Sequence, residues 1–247
     1  MNQTEQPRIE YVSALLGLLT SENPGQELRI QHSSGLLKQY LPEVDALYGV
    51  PQRAEFHPEI DVGWHMELCL NQVKRLGFGN DVMFAVLMHD LGKGITPAEM
   101  LPRHHDHERT GIPLVKAVCT RMGIYGHQRD LALAVCEHHL WMHKVFTHRS
   151  ETISRFIHNH FQTKDEGFVR MFTQACYADA TGRLGKHDES YNQAVFFQSA
   201  HRRLNSLQMI NDTPGDDPEQ REIYLKRRQV IRFLRKVHNG SLMEEVK

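Results

Sequence analysis

The chain holds 247 residues, with 29 Lys and Arg against 30 Asp and Glu, a formal net charge of −1 and 40% hydrophobic residues. That length can bury a sizeable core in one large domain or slightly more, and the balanced charge excludes a global field that would recruit a polyanion or an anionic membrane. No apolar run approaches the roughly 18 residues of a bilayer span, and MNQTEQPRIE lacks the basic and apolar regions of a secretion signal. Cys69, Cys119, Cys136 and Cys176 form no CxxC pair, so small buried thiols in a reducing, cytoplasmic protein are expected.

Helical periodicity runs through nearly the whole sequence. A first helix is expected over Ile9 to Leu19, stopped by Ser21-Glu22-Asn23-Pro24-Gly25, and a second over Glu27 to Tyr40 ahead of Pro42. Asp61 can cap a helix to Leu76 in which Ile60, Trp64, Leu68 and Val73 stand near helical spacing, and Gly77 and Gly79 end it. Asp81 can cap the next helix, whose apolar run Val82 to Met88 leads into His89-Asp90-Leu91-Gly92-Lys93. Further helices are expected over Glu108 to Met122, Gln128 to His139, Ser150 to His160, Asp165 to Thr181 and Tyr191 to Leu207. After the linker Asp212 to Pro218, a last helix covers Glu219 to His238. No alternating run argues for a sheet, so the fold is all-α. The segments expected are 1–50, N-terminal helices; 51–210, the central domain; and 211–247, linker and basic C-terminal helix, all in one compact unit.

A buried helix that ends in an imidazole beside a carboxylate needs compensation for the buried charge, and a bound cation supplies it. His65, His89, Asp90 and Asp179 give the order H…HD…D on three helices. Ala178 and Ala180 beside Asp179 leave room for close approach. Two His-rich elements lie between, PRHHDHERTG and CEHHLWMH. His107 with one of His138 and His139 could hold a second cation that shares Asp90. Lys93 is expected to bind phosphate beside Asp90, and Arg103 and Arg183 are candidate helpers. The run Lys226, Arg227, Arg228, Arg232, Arg235, Lys236 reads as a solvated face or a rest for an RNA backbone.

LPEVDALYGVPQRAEFHPEIDVGWH, MHDLGKGITP, PRHHDHERTG and YADATGR together resemble the C-terminal HD domain of bacterial CCA-adding tRNA nucleotidyltransferase, from about Leu41 to Arg183. The resemblance implies an HD-domain helical bundle over the central segment. It also implies divalent-metal-dependent phosphatase, 2′-nucleotidase and 2′,3′-cyclic phosphodiesterase chemistry on nucleotides or RNA ends. By position His65, His89-Asp90 and Asp179 match the metal ligands, His139 matches better than His138, and His57 carries a structural role.

Too few residues precede His65 to hold the nucleotidyltransferase head, and they contain no Gly-Ser followed by Asp-x-Asp, so CCA addition is not expected. The expected protein is a metal-dependent phosphohydrolase loaded with one or two ions. A His-rich site suits Ni, Co, Mn, Fe or Zn better than Mg alone. The rivals are a hydrolase of deoxynucleotides or alarmones and a non-catalytic tRNA-binding module. Nothing argues for DNA or membrane partners.

Overall fold

Helix-forming runs separated by Gly and Pro produce twelve α-helices among the described residues, 9–211 and 213–238 of a computed structural model. They are α1 (Ile9–Thr20), α2 (Pro24–Ser33), α3 (Leu36–Tyr40), α4 (Pro42–Asp45), α5 (Val62–Arg75), α6 (Asn80–Met88), α7 (His107–Met122), α8 (Gly126–His143), α9 (Ser150–Phe156), α10 (Glu166–Thr181), α11 (Asn192–Asn205) and α12 (Pro218–His238). An isolated bridge between Pro51 and Asp61 is the extended pairing seen among them. The fold is all-α. No helix among the described residues is long and apolar enough to cross a membrane.

Three local departures from the sequence pattern have plain causes. The helix expected over Glu27 to Tyr40 breaks at Gly35, which takes a φ of 76° that stops α2 and starts α3. Asp81 lies in the first turn of α6, and Gly79 occupies the cap. The α5 stripe expected from Ile60 and Trp64 is rotated. Both of those residues are exposed, while Val62, His65, Met66, Cys69 and Val73 face inward. Asp61 does cap this helix, accepting from the Trp64 amide at 2.8 Å.

The described residues divide into two compact units, with breaks within α8, within α10 and between Glu189 and Ser190. The first unit takes the described residues up to Leu140 together with Gln174–Glu189. Its centre is α6, buried on every side from Val82 to Met88. Each of those larger side chains contributes about 1.5–3 kcal/mol of burial free energy. α5 packs on both α2 and α6, and the tight 3₁₀ turn Leu91–Ile95 packs on α7. That last contact depends on Gly92, where a Cβ would lie 2.0 Å from the His107 carbonyl oxygen. Gly182 plays a similar part after α10, where a Cβ would come within 2.5 Å of the Cys69 Cα.

The second unit takes Trp141–Thr173 and the described residues from Ser190 onward. Phe156, Phe161, Phe172 and Phe197 form its aromatic core beside Trp141. A π-helical turn, Ile157–Phe161, continues α9. On α12 the basic run is divided by the helix geometry. Lys226, Arg232 and Lys236 are exposed, Arg228 and Arg235 are half-buried, and Arg227 is buried completely. All four cysteines are free and buried.

Candidate metal centre

Five helices bring side chains together around Asp90 within the first unit. The fully buried α6 delivers His89 at its C-terminal cap, and Asp90 follows at the entrance to the 3₁₀ turn. α5 brings His65, the start of α7 brings His107, the late turns of α8 bring His139, and α10 brings Asp179. All six side chains are buried.

The candidate ligand atoms fall into two sets around the Asp90 carboxylate. On one side His65 Nε2 is 3.2 Å and His89 Nε2 3.6 Å from Asp179 Oδ1, and His89 Nε2 is 3.1 Å from Asp90 Oδ2. On the other, His107 Nε2 is 3.1 Å and His139 Nε2 3.7 Å from Asp90 Oδ1, and the two imidazole nitrogens are 3.4 Å apart. The groups His65, His89, Asp179 and His89, Asp90, His139 each present atoms within 4.8 Å of one another.

His89 Nε2 and both Asp90 oxygens are buried without a hydrogen-bond partner, although several nitrogens stand at ion-pair distance. Leaving buried polar atoms so placed costs about 1–3 kcal/mol each, and a cation among them would satisfy the set. The opposite ring nitrogens strengthen the fit. Nδ1 of His89 lies 2.7 Å from the Val86 carbonyl, Nδ1 of His107 2.8 Å from that of His104, and Nδ1 of His139 3.1 Å from that of Val135. A carbonyl can only accept, so each Nδ1 carries the proton and each Nε2 offers a lone pair to the cluster. These residues fit a divalent metal.

The other sequence candidates are placed as follows. Lys93 Nζ is 2.7 Å from Asp90 Oδ2 and 3.1 Å from Gln52 Oε1, a buried partner that the sequence did not single out. Arg183 reaches within 3.6 Å of Asp179 Oδ1 and donates to the Phe56 carbonyl. Arg103 is exposed on the loop before α7. Of the adjacent pair, His139 lies beside Asp90, while His138 Nε2 stands 3.7 Å from Glu137. His57 bonds through Nδ1 to Glu59, at 3.0 Å.

Without metal, the cluster titrates in opposing directions. Burial disfavours charge on His89, but Asp90 and Asp179 beside it prevail and raise it to about 10. Burial pushes His57 down to about 3 and also holds His139 well below the ordinary histidine range. The contribution of His89 is therefore complete below pH 6.5 and lost as pH rises towards 10. Those of His57 and His139 are present above pH 6.5 and lost as pH falls below it. Urea midpoints in excess chelator are expected to peak near neutrality. A flat profile between pH 7 and 9 would contradict the His89 environment.

A match to the HD domain family covers residues 64–171, which contain His65, the His89-Asp90 pair, His107 and His139. The chain carries an HD domain, the domain of a metal-dependent hydrolase superfamily, and such a domain implies divalent metal binding. It is 43% identical over 180 residues to a multifunctional CCA protein of Acinetobacter baumannii, covering 73% of this chain and 43% of that protein. Proteins of the same description from Alkalilimnicola ehrlichii and Stenotrophomonas maltophilia are 41% and 42% identical, over 74% and 77% of this chain and 45% and 47% of theirs. The chain thus resembles the multifunctional CCA proteins and spans less than half the length of these relatives.

Proposed function

We propose that this centre is a phosphohydrolase site acting on nucleotides or RNA ends, as a phosphomonoesterase, a 2′-nucleotidase and a 2′,3′-cyclic phosphodiesterase. The observation that carries the reading is the Asp90 carboxylate, buried with its two oxygens each facing a separate set of imidazoles. His65, His89, Asp90 and Asp179 would hold one cation, and Asp90, His107 and His139 a second. A divalent ion there polarises a phosphoryl oxygen and makes water acidic enough to react near neutral pH.

The chain's own groups do the rest. Asp90 joins the two ligand sets through its two oxygens. Lys93, steadied by Gln52, brings positive charge to offset what builds on the phosphoryl group in the transition state. Arg183 adds a second cation beside Asp179. The protons carried on Nδ1 of His89, His107 and His139 keep their Nε2 atoms available. Similarity to the CCA proteins favours tRNA as the RNA substrate.

The test is hydrolysis of 2′,3′-cyclic AMP and 2′-AMP by chelator-stripped protein, with Ni, Co, Mn and Mg restored separately. Metal-dependent turnover that disappears in Asp179→Ala is the expected result. No turnover with any metal, in protein shown to be folded, overturns the reading. Turnover of deoxynucleotides or alarmones alone would reassign the substrate.

A further inference from the structure

We infer that Glu59 is a positioning residue for the metal centre, which fixes the tautomer and aim of His65, and that His57 holds Glu59 in place. The inference rests on the metal-binding reading of the cluster, not on any choice of substrate. Glu59 belongs to no helix and lies outside the ligand sets described above. Its side chain is nevertheless completely buried. Its Oε1 lies 2.9 Å from His65 Nδ1 and 3.0 Å from His57 Nδ1, and its Oε2 faces the Leu184 amide at 3.5 Å.

His65 is the ligand with a different kind of support. His89, His107 and His139 each give their Nδ1 proton to a backbone carbonyl, whereas His65 gives its proton to a full negative charge. A carboxylate in that position makes the opposite nitrogen a stronger donor to a cation and locks the ring's orientation. Two imidazole Nδ1 atoms at one carboxyl oxygen, both placed to donate, call for an acceptor-only carboxylate there.

The backbone supports the same conclusion. Ile60, the next residue, is β-branched and half exposed, yet takes a φ of 62°. That conformation costs about 1–3 kcal/mol in a residue of this kind. It is held from both sides, with the Ile60 amide donating to the His57 carbonyl at 2.9 Å and the Asp61 amide to the Glu59 carbonyl at 2.7 Å. The strained turn aims the Glu59 side chain inward while Asp61, two residues on, faces the cap of α5.

His57, Glu59 and His65 also lie close enough to hold an ion of their own. The hydrogen-bond distances argue otherwise. One carboxylate oxygen already accepts two N–H groups, and an ion there would require both protons to leave while His65 keeps its Nε2 on Asp179.

The test is titration of chelator-stripped protein with Mn and Ni, followed by calorimetry, on wild type and Glu59→Gln. The glutamine oxygen can still accept both protons, so the substitution removes the charge and, beyond it, only the long contact with the Leu184 amide. Affinity is expected to fall about 10- to 100-fold, with unchanged stoichiometry and an undiminished urea midpoint for the metal-free protein. Equal affinity in the two proteins overturns the inference, as does a lower midpoint with metal binding intact, which is the mark of a purely structural role. Loss of one whole equivalent with the remainder unaffected would overturn it in favour of a separate ion site. Should Glu59→Gln not fold, Glu59→Asp keeps the charge but withdraws its reach, and the same weakening is expected. Failure of wild type itself to take up metal would instead overturn the reading of the whole cluster, a result distinguishable from the others.

Discussion

Asp90→Asn is expected to lower metal-dependent turnover by about a thousandfold or more, and to remove the bound metal, while the helical circular dichroism persists. Asp90 is the one ligand whose two oxygens face both imidazole sets. An amide there offers one neutral oxygen and places an NH₂ against nitrogens that must themselves donate electron pairs. Loss of electrostatic stabilisation at one such position costs a factor of about 10²–10³ even where binding survives, and here the ion is lost as well. Metal content and initial rates, measured on the same preparation, check this result. Retained turnover with retained metal dependence would move the chemistry away from Asp90.

Arg227→Met is expected to destabilise the protein by about 3 kcal/mol without altering the metal centre. Arg227 is 1% exposed. It donates to Ser154 Oγ at 2.8 Å, the Ser154 carbonyl at 3.2 Å, and the carbonyls of Leu204 and Leu207 at 3.1 and 2.6 Å. Every one of these acceptors is neutral, and burial lowers the guanidinium to about 10. Methionine retains much of the volume but removes the guanidinium donor from the Leu207 carbonyl and the Ser154 hydroxyl, at about 1–3 kcal/mol each before relaxation, while the Leu204 and Ser154 carbonyls keep backbone donors. Urea midpoints of the two proteins decide the matter. A change below about 0.5 kcal/mol would mean that water replaces the guanidinium at little cost.

The sequence showed the centre more clearly than it showed the supports. A wholly apolar run that ends in His89-Asp90 marks a buried charge in need of a partner, and His65 and Asp179 stand on helices legible from their spacing. The existence and approximate limits of most long helices followed from periodicity in the same way. The rest depended on tertiary contacts. Ile60 and Trp64 fit a helical stripe, but the inward face of α5 is chosen by His65 and Cys69, which must meet α10. Gln52 and Glu59 belong to loops, where no periodicity reports burial, and their partners Lys93 and His65 are brought to them by the fold. Arg227 sits among five other basic residues, and composition alone cannot say which of six like side chains turns inward. Gly35 looked like one more residue of a helix until its backbone conformation divided α2 from α3.

The meeting of Gly92 with His107 has a consequence for which ions the centre can accept. The chain just beyond Asp90 touches the first residue of α7 through main-chain atoms, with no side chain between to yield. The gap between the His89 and His107 ligand sets therefore has a lower limit set by backbone contact. A smaller ion must be met by small rotations of imidazole and carboxylate groups, because the two segments cannot draw closer. A centre built this way has a floor to its width, and its preference among metals is written in the backbone as well as in the ligands.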